Sequence, residues 1–280
     1  MPYRDHTIDL DRRLSLVGKR ALPRISVVVP ARNEAANLPH VLSALGPEVF
    51  EVILVDGHSS DDTVAVARAL RPDIRVIEQN RTGKGNALAC GFAAVRGDII
   101  VMLDADGSAD PAEIPRFVEA LVAGAEFAKG TRFAAGGGST DLTWVRRLGN
   151  KALNGVVNVL FATSYSDLCY GYNAFWTKCL PTLALDAGSE QLDKRLWGDG
   201  FEIETIINTR IAKGRLKVVE VPSFELERLY GTSNLNTWRD GLRVLRAALS
   251  ERFTRRVTPV MARAVSPYLV EQPTSVAVNA

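Results

Sequence analysis

The 280-residue sequence is poor in cysteine and histidine, with three of each. The cysteines, at positions 90, 169 and 179, form no CxxC pair, so neither a disulfide framework nor the ligand spacing of a structural zinc site is present. Reduced thiols are the usual state of cysteine in the cytosol, and we therefore expect a cytoplasmic protein. A chain of this length buries enough surface to fold without such cross-links.

Long apolar runs are also lacking. No run approaches the roughly 20 residues that a transmembrane helix needs. Residues 1–24 are charged and have no apolar core of a secretory signal. Any membrane role is therefore expected to be peripheral, at the inner face of the plasma membrane. The net charge is only +2, yet residues 239–263 carry seven basic and two acidic side chains.

Strand and helix patterns alternate through the first half of the chain. Short β-branched runs predict strands over residues 25–29, 51–55, 74–77 and 98–103. Helical spacing or a start signal follows each of them, over residues 34–45, 61–70, 86–95 and 111–122. This alternation predicts an α/β fold with a doubly wound, mostly parallel sheet flanked by helices.

The second half is less regular. It predicts helices over residues 142–161 and 200–212, a strand over 216–221, and a helix over 238–253. The last helix places five apolar residues on one face: Trp238, Leu242, Leu245, Leu249 and Phe253. Its arginines favour either a helix resting on an anionic membrane or a helix packed on the domain with a solvated basic face, and we slightly favour the packed arrangement.

Polar residues gather where the predicted strands end, which is where ligands bind in an open parallel sheet. A lone acid there, such as Asp61 or Asp110, is as readily a helix cap. Asp104 and Asp106, two residues apart and followed by a glycine, are better explained as oxygen ligands of one hard cation. Such a cation, bridging a diphosphate, would neutralise charge on a departing phosphate.

Other nucleotide-binding and hydrolytic folds fit poorly. The first strand is followed by Pro30-Ala31-Arg32-Asn33-Glu34 and not by the GxGxxG of a dinucleotide fold. Residues 83–86 lack the glycine spacing and the Ser/Thr of a P-loop. No GxSxG nucleophile elbow occurs.

Four segments together resemble the inverting family 2 glycosyltransferases of GT-A fold. They are VVVPARNE (27–34), VDGHSSDDT (55–63), GKGNAL (83–88) and DADGSADP (104–111). Later segments resemble the polyprenyl-phosphate branch of that family: residues 130–132, 146–147, 167–171 and 228–233. The resemblance covers residues 25–235.

The resemblance implies roles for individual residues. A UDP- or GDP-sugar would contact the donor set: Pro30, Ala31, Arg32, Glu34, Asp56, Gly57, Ser59, Lys84, Gly85, Asp104, Ala105 and Asp106. Asp104 and Asp106 would hold Mg²⁺ or Mn²⁺. Phosphates of the donor or the acceptor would be held by Arg132, one of Arg146 and Arg147, Arg228 and Ser233. Three positions depart from the branch pattern, namely Ser108, Asn173 and Asn234, and they leave a glycan or metabolite hydroxyl open as the acceptor beside a lipid phosphate.

An acidic segment predicts the catalytic acids. Asp199, Glu202 and Glu204 lie at the start of a predicted helix, where acids also complement the helix dipole. We favour Asp199 as the base for a hydroxyl acceptor because flanking glycines allow a substrate to approach. Glu204 matches a glutamate of the lipid-phosphate branch.

The predicted organisation is an N-terminal extension (1–24), a GT-A domain (25–235) with a nucleotide-sugar half (25–125) and an acceptor half (126–235), a basic amphipathic helix (236–256) and a tail (257–280). The alternatives to a glycosyltransferase are a non-catalytic nucleotide-sugar-binding protein and a sugar-1-phosphate nucleotidyltransferase. Nucleic acid is not expected as a partner because the body is acidic and no aromatic platform accompanies the arginines. A homo-oligomer is left open.

Overall fold

The structure, a computed structural model, describes residues 22–188, 196–231 and 237–254. Residues 1–21 of the predicted extension and the predicted tail over 257–280 lie outside these ranges. The division into an extension, two half-domains, a helix and a tail stays a prediction.

A seven-stranded sheet forms the centre of the protein. Its strands are β1 (Ile25–Ala31), β2 (Val49–Asp56), β3 (Arg75–Glu78), β4 (Ile99–Met102), β5 (Phe127–Thr131), β7 (Asn173–Trp176) and β8 (Val218–Pro222), and two short strands, β6 (Gly138–Ser139) and β9 (Phe224–Glu225), pair apart from it. The order is β3-β2-β1-β4-β7-β5-β8. Only β7 runs antiparallel to its neighbours, β4 and β5.

Most of the helices lie against this sheet, and the last one packs on two other helices. The helices are α1 (Leu38–Ser43), α2 (Thr63–Leu70), α3 (Lys84–Ala94), α4 (Ile114–Val122), α5 (Trp144–Phe161), α6 (Leu180–Leu183), α7 (Ile203–Gly214) and α8 (Thr237–Phe253). Alternate residues of β1 enter different apolar clusters: Val27 and Val29 pack with α1 and α4, whereas Val28 packs with α3 and α7. A strand buried on both faces needs the continuous apolar run that the sequence shows.

The α/β class and the mostly parallel sheet are therefore confirmed. The four predicted strands of the first half are present, but the helix predicted over residues 34–45 is an α-helix only from Leu38 to Ser43. The sequence pattern missed β5 and β7. The run Phe127-Ala128-Lys129-Gly130-Thr131 contains a charge and a glycine, which do not look like a buried strand.

The last helix packs on the domain with a face that differs from its predicted apolar stripe. Val244, Ala247 and Ala248 are buried, and Val244 and Ala248 pack with Val157 of α5. Leu242, Leu249 and Phe253 of the predicted stripe are exposed instead. Leu245 is half-buried, and the side chain of Trp238 lies outside the described part of the chain. Over the described ranges, no helix has the length and apolar character needed to cross a membrane.

Candidate active site

The polar end of β4 meets the starts of α3 and α7 at the carboxyl edge of the sheet. Asp104 and Asp106 follow β4, and Lys84 is the first residue of α3. The Lys84 ammonium lies 2.7 and 2.8 Å from the two Asp104 carboxylate oxygens. It also lies 2.8 Å from Glu204 Oε1, so one cation joins two acids from distant parts of the chain.

The Lys84 group is tightly enclosed. A Cβ added to Gly171 would lie 3.2 Å from Lys84 Nζ and 3.3 Å from Glu204 Oε1, so the backbone at Gly171 passes close to both charged groups. Burial opposes the charged form of Lys84, but the charges of Asp104 and Glu204 outweigh burial and raise the pKa of Lys84. The ammonium therefore stays charged beside the predicted diphosphate position.

A loop between β9 and α8 reaches the second predicted metal ligand. Arg228 forms an ion pair with Glu34, and its Nη1 lies 3.4 Å from Asp106 Oδ2. Asn37 and Tyr230 exchange two hydrogen bonds, which tie this loop to the residues after β1. Burial raises the pKa of Glu34, although hydrogen bonds from Asn37 and Arg228 oppose that shift. Contacts of Arg228 and Tyr230 thus bring this loop against the residues that follow β1 and β4.

The end of β2 presents a buried hydrogen-bond acceptor, the Oδ1 atom of Asp56, that has no partner in the described part of the chain. Asp56 accepts a hydrogen bond from the Ser59 backbone N–H through Oδ2, at 3.1 Å. The backbone of Gly57 donates to Ala31 O at 2.7 Å, which joins the two strand ends. An unpaired buried acceptor costs free energy unless a ligand supplies a donor, so this geometry suits the role predicted for Asp56.

The remaining donor-set residues surround these groups. Pro30 is half-buried and Arg32 is exposed at the end of β1, Gly85 is buried at the start of α3, and Ala105 is buried between the two acids. The Ser59 hydroxyl accepts a hydrogen bond from the Asn33 backbone N–H. The structure thus brings the donor set to the carboxyl edge, and the individual contacts with a nucleotide stay predictions.

Asp199 does not point freely into this site. Both of its oxygens are bound by Arg81, with Nε at 2.9 Å and Nη2 at 3.0 Å. Glu202 accepts from the backbone N–H groups of Gly198 and Gly200, which lie in the loop before α7, and its side chain does not cap that helix. Of the three predicted acids, Glu204 is the one held beside Asp104 through a shared partner. The base role predicted for Asp199 is untested.

Arg132 lies in a buried ionic network. Asp167 accepts from Arg132 Nε at 2.6 Å and from Nη2 at 2.8 Å, and Glu225 accepts from Nη1 at 2.9 Å. Burial alone would raise the pKa of Asp167, but hydrogen bonds and charge from Arg132 and the charge of Lys129 lower it. Three of the five guanidinium N–H groups of Arg132 are therefore bound to protein carboxylates, which makes it a structural support for the acceptor side, and its phosphate-binding role stays a prediction.

The structure separates the two neighbouring arginines. Arg146 forms an ion pair with Asp141 at 2.9 Å. The guanidinium of Arg147 lies 5.8 Å from the centre of the Phe133 ring, which also faces Arg132. Arg147 thus lies near the same ring as Arg132, and the phosphate role of either arginine of the pair stays a prediction. Ser233, the other predicted phosphate ligand, lies outside the described residues.

Sequence reasoning missed Arg81 and Lys129 as residues that shape the site, and it singled out Asp167 only as part of the segment 167–171. Lys129 is fully buried in β5, and burial lowers its pKa while Asp167 and Glu220 oppose the shift. The signals were weak, because Arg81 stands just before the glycine-lysine motif and Lys129 stands in an unrecognised strand. Charges in such places become informative only when their distant partners are known.

Asp104 and Asp106 would supply two carboxylate ligands to a divalent cation, and further ligands would complete its coordination. In the ranges described, no group of three His, Cys, Asp or Glu residues is placed to hold a metal ion. Two carboxylates plus substrate phosphates are, however, a common donor set for Mg²⁺. Both side chains are partly exposed and so reachable from the donor position.

The sheet order, with the polar site at its carboxyl edge, is that of the GT-A fold, and solved structures share this fold. Glucosyl-3-phosphoglycerate synthase from Mycobacterium tuberculosis, solved with Mn²⁺, UDP and phosphoglyceric acid, is similar with a TM-score of 0.65 at 22% identity, over 91% of this chain and 85% of that chain. A further structure of the enzyme, with Mg²⁺ and UDP, gives 0.64 at 22% identity over 90% and 84%. This likeness establishes the fold.

Residues 26–178 match Glycosyl transferase family 2, and the chain belongs to that family. It is 33% identical over 229 residues to polyprenol monophosphomannose synthase of Mycolicibacterium smegmatis, covering 78% of this chain and 83% of the relative. It is 31% identical over 223 residues to undecaprenyl-phosphate mannosyltransferase of Micrococcus luteus, covering 76% and 88%. The predicted family, the resemblance to its polyprenyl-phosphate branch and the assignment as a glycosyltransferase are confirmed.

Proposed function

We propose that this glycosyltransferase moves a sugar from a UDP- or GDP-sugar to the phosphate of a polyprenyl phosphate, with inversion and with Mg²⁺ or Mn²⁺ at the donor. The engagement of both Asp199 oxygens by Arg81 carries the choice of acceptor. A hydroxyl acceptor needs a base within reach, whereas a phosphate monoester is already an anion at neutral pH. The names of the two relatives described above agree with a phosphate acceptor.

The chemistry is one in-line displacement. An acceptor phosphate oxygen forms a bond to the anomeric carbon while the bond from that carbon to the diphosphate oxygen breaks, and the electron pair leaves with the nucleoside diphosphate. Asp56 Oδ1 would accept a hydrogen bond from the donor nucleoside. Lys84 would orient the diphosphate and offset its growing charge. Arg147 would hold the acceptor phosphate, because a guanidinium fork matches phosphate oxygens.

A divalent cation held by Asp104 and Asp106 would supply further positive charge to the leaving diphosphate. In the structure, Lys84 and Arg228 neutralise these two acids. Binding of a cation and a diphosphate therefore requires these two basic side chains to turn from the carboxylates toward phosphate oxygens. The pairing explains how two acids are kept close together before the donor arrives.

The test is a transfer assay with matched acceptors. Purified protein is given UDP- and GDP-linked hexoses with Mg²⁺ or Mn²⁺, and either undecaprenyl phosphate or undecaprenol. We expect a glycolipid product only with the phosphate and only with added metal. A product on undecaprenol or on a small metabolite hydroxyl, or undiminished transfer to the phosphate in excess EDTA, would overturn the corresponding part of the proposal.

We further propose that the exposed face of α5 rests on an anionic membrane surface, which holds a polyprenyl acceptor. Trp144, Leu148 and Val159 share this face and are 76%, 61% and 85% exposed. Exposed Arg147 and Lys151 accompany them on the same helix. An exposed apolar stripe with basic neighbours suits the boundary between acyl chains and anionic headgroups.

Vesicle flotation tests the membrane contact. The full chain is mixed with vesicles of phosphatidylcholine alone or with phosphatidylglycerol, and compared with a triple variant, Trp144→Ser, Leu148→Ser and Val159→Ser. We expect flotation with the anionic vesicles and its loss in the triple variant. Leu70→Ser, at the exposed end of α2, serves as the control and is expected to float normally. Equal flotation of the triple variant would refute this contact.

A further inference from the structure

Two loops cross behind the Lys84 group. One, residues 79–83, leaves β3 and enters α3. The other, residues 196–202, leads into α7. Gly85 and Gly198 touch at the crossing, where a Cβ on Gly85 would lie 1.8 Å from Gly198 O. The Gly85 backbone N–H also donates to Asp199 O at 2.8 Å.

The crossing is held by the ion pair of Arg81 and Asp199. The two residues are 4% and 3% exposed, and the guanidinium meets both carboxylate oxygens. The same carboxylate accepts from the Leu196 backbone N–H at 2.7 Å, and Arg81 Nη2 donates to Asp186 O at 2.7 Å. A buried pair joined at two points is geometrically specific.

This pair sets the positions of two residues in the site. Lys84 stands three residues after Arg81, and Glu204 stands five residues after Asp199. Lys84 and Glu204 come from different helices, α3 and α7, and meet at 2.8 Å. The relative placement of those helix starts therefore decides whether Lys84 faces Asp104 and Glu204 together.

We propose that Arg81 and Asp199 are positioning residues that hold the starts of α3 and α7 in the arrangement needed for donor turnover. The proposal rests on the proposed glycosyl transfer. It assigns Asp199 no proton transfer, in contrast to the base role that the sequence favoured. A buried ion pair is a costly way to gain stability, since well-packed apolar side chains often replace one without loss. Its benefit here is the register between two loops.

Four variants separate positioning from base catalysis. The single variants Asp199→Asn and Arg81→Met each break the ion pair. The third variant combines these two substitutions and breaks no further interaction of the pair. We expect each to lower kcat/KM for the donor by about 10²-fold, because a small misplacement of catalytic groups has effects of that size. The double variant is expected to lose no more than either single variant. The fourth variant, Arg81→Met with Asp199→Leu, replaces the pair by apolar side chains.

The apolar pair distinguishes positioning from general stabilisation. We expect its free energy of unfolding to return toward that of the wild type while donor turnover stays low. Recovery of turnover together with stability would overturn the proposal, and so would a far larger loss in Asp199→Asn than in Arg81→Met. The partly exposed pair of Arg71 and Asp73 supplies the control, Arg71→Met with Asp73→Asn, which should leave kcat/KM unchanged.

Donor hydrolysis without any acceptor provides a second readout. It reports the donor side alone, so it tests the positioning role even if the acceptor differs from a polyprenyl phosphate. Melting curves with UDP or GDP and Mg²⁺, measured for each variant, show whether the folded protein still binds a nucleotide. Parallel losses in hydrolysis across the two single variants support the pair as one unit, and unequal losses refute it.

Discussion

Asp167 is the residue on which the acceptor side depends most heavily. It is fully buried, and it accepts hydrogen bonds from the Arg132 guanidinium and backbone and from Asn150 Nδ2. Arg132 in turn binds Glu225, which also accepts from the Ser139 hydroxyl. Strand β5, the loop after α5 and the small β6–β9 pair are thus joined through one guanidinium.

Removing Arg132 should therefore destabilise the fold strongly. Arg132→Met leaves Asp167 as a buried carboxylate without its ionic partner, and we expect a loss of about 3–5 kcal/mol in the free energy of unfolding. Urea unfolding followed by circular dichroism measures it. Arg146→Met, which breaks only the partly exposed pair with Asp141, should cost less than about 1 kcal/mol. Equal losses in the two variants would contradict the assigned network.

The same carboxylate predicts a pH dependence. Because the folded protein lowers the pKa of Asp167, its contribution to stability is complete above the ordinary value of 3.8 and is lost as the pH falls toward the folded pKa. We expect the stability difference between the wild type and Asp167→Asn to shrink as the pH falls below 3.8. Unfolding curves at a series of acidic pH values test this, and a constant difference would show that Asp167 does not titrate as inferred.

At the scale of elements, the charged side chains of the site lie at the first turns of two helices. Lys84 begins α3, and Glu204 lies in the first turn of α7. These two starts meet where Gly85 passes Gly198 with no room for a side chain. The packing of two helices thus depends on one glycine, although glycine is otherwise unfavourable within a helix.

Replacing Gly85 by alanine should lower the stability of the protein, whereas the same replacement at an open helix position should raise it. Gly85→Ala must push α3 and the 196–202 loop apart, so we expect lower thermal stability and at least tenfold lower donor turnover, the order of loss that small misplacement of catalytic groups produces. Gly149→Ala on α5, where nothing lies within 4 Å, should instead stabilise the protein by roughly 0.5–1 kcal/mol. Calorimetry compares the two, and a neutral Gly85→Ala would show that the crossing can relax.

At the scale of the whole molecule, α8 returns to complete the second half of the fold. It packs on α5 through Val244 and Ala248, and its Glu251 accepts from Arg210 of α7 at 2.9 Å. Lys213 donates to the carbonyl of Glu251 at 2.7 Å. A helix that the sequence marks chiefly by its arginines is thus held to the domain by a buried acid.

Glu251→Gln should loosen this attachment. It leaves the Arg210 guanidinium half-buried without a carboxylate, so we expect a loss of about 3 kcal/mol in the free energy of unfolding. Relative to the wild type, amide hydrogen exchange in the variant should become faster in α8 and should change less in β1 and β2. The exposed Asp73→Asn serves as the control and should change neither quantity. Unchanged protection of α8 in Glu251→Gln would show that apolar packing alone holds the helix.

The sequence by itself determined the sheet of the first half, the family and the acids at the strand ends. Those features rest on local patterns: buried strands need continuous apolar runs, and ligand-binding residues follow strand ends directly. Only the tertiary structure decided which charges neutralise each other. Arg81 and Asp199 stand 118 positions apart, and Arg132 and Asp167 stand 35 apart. No local pattern records such pairs, because ionic contacts depend on where the fold brings distant segments together.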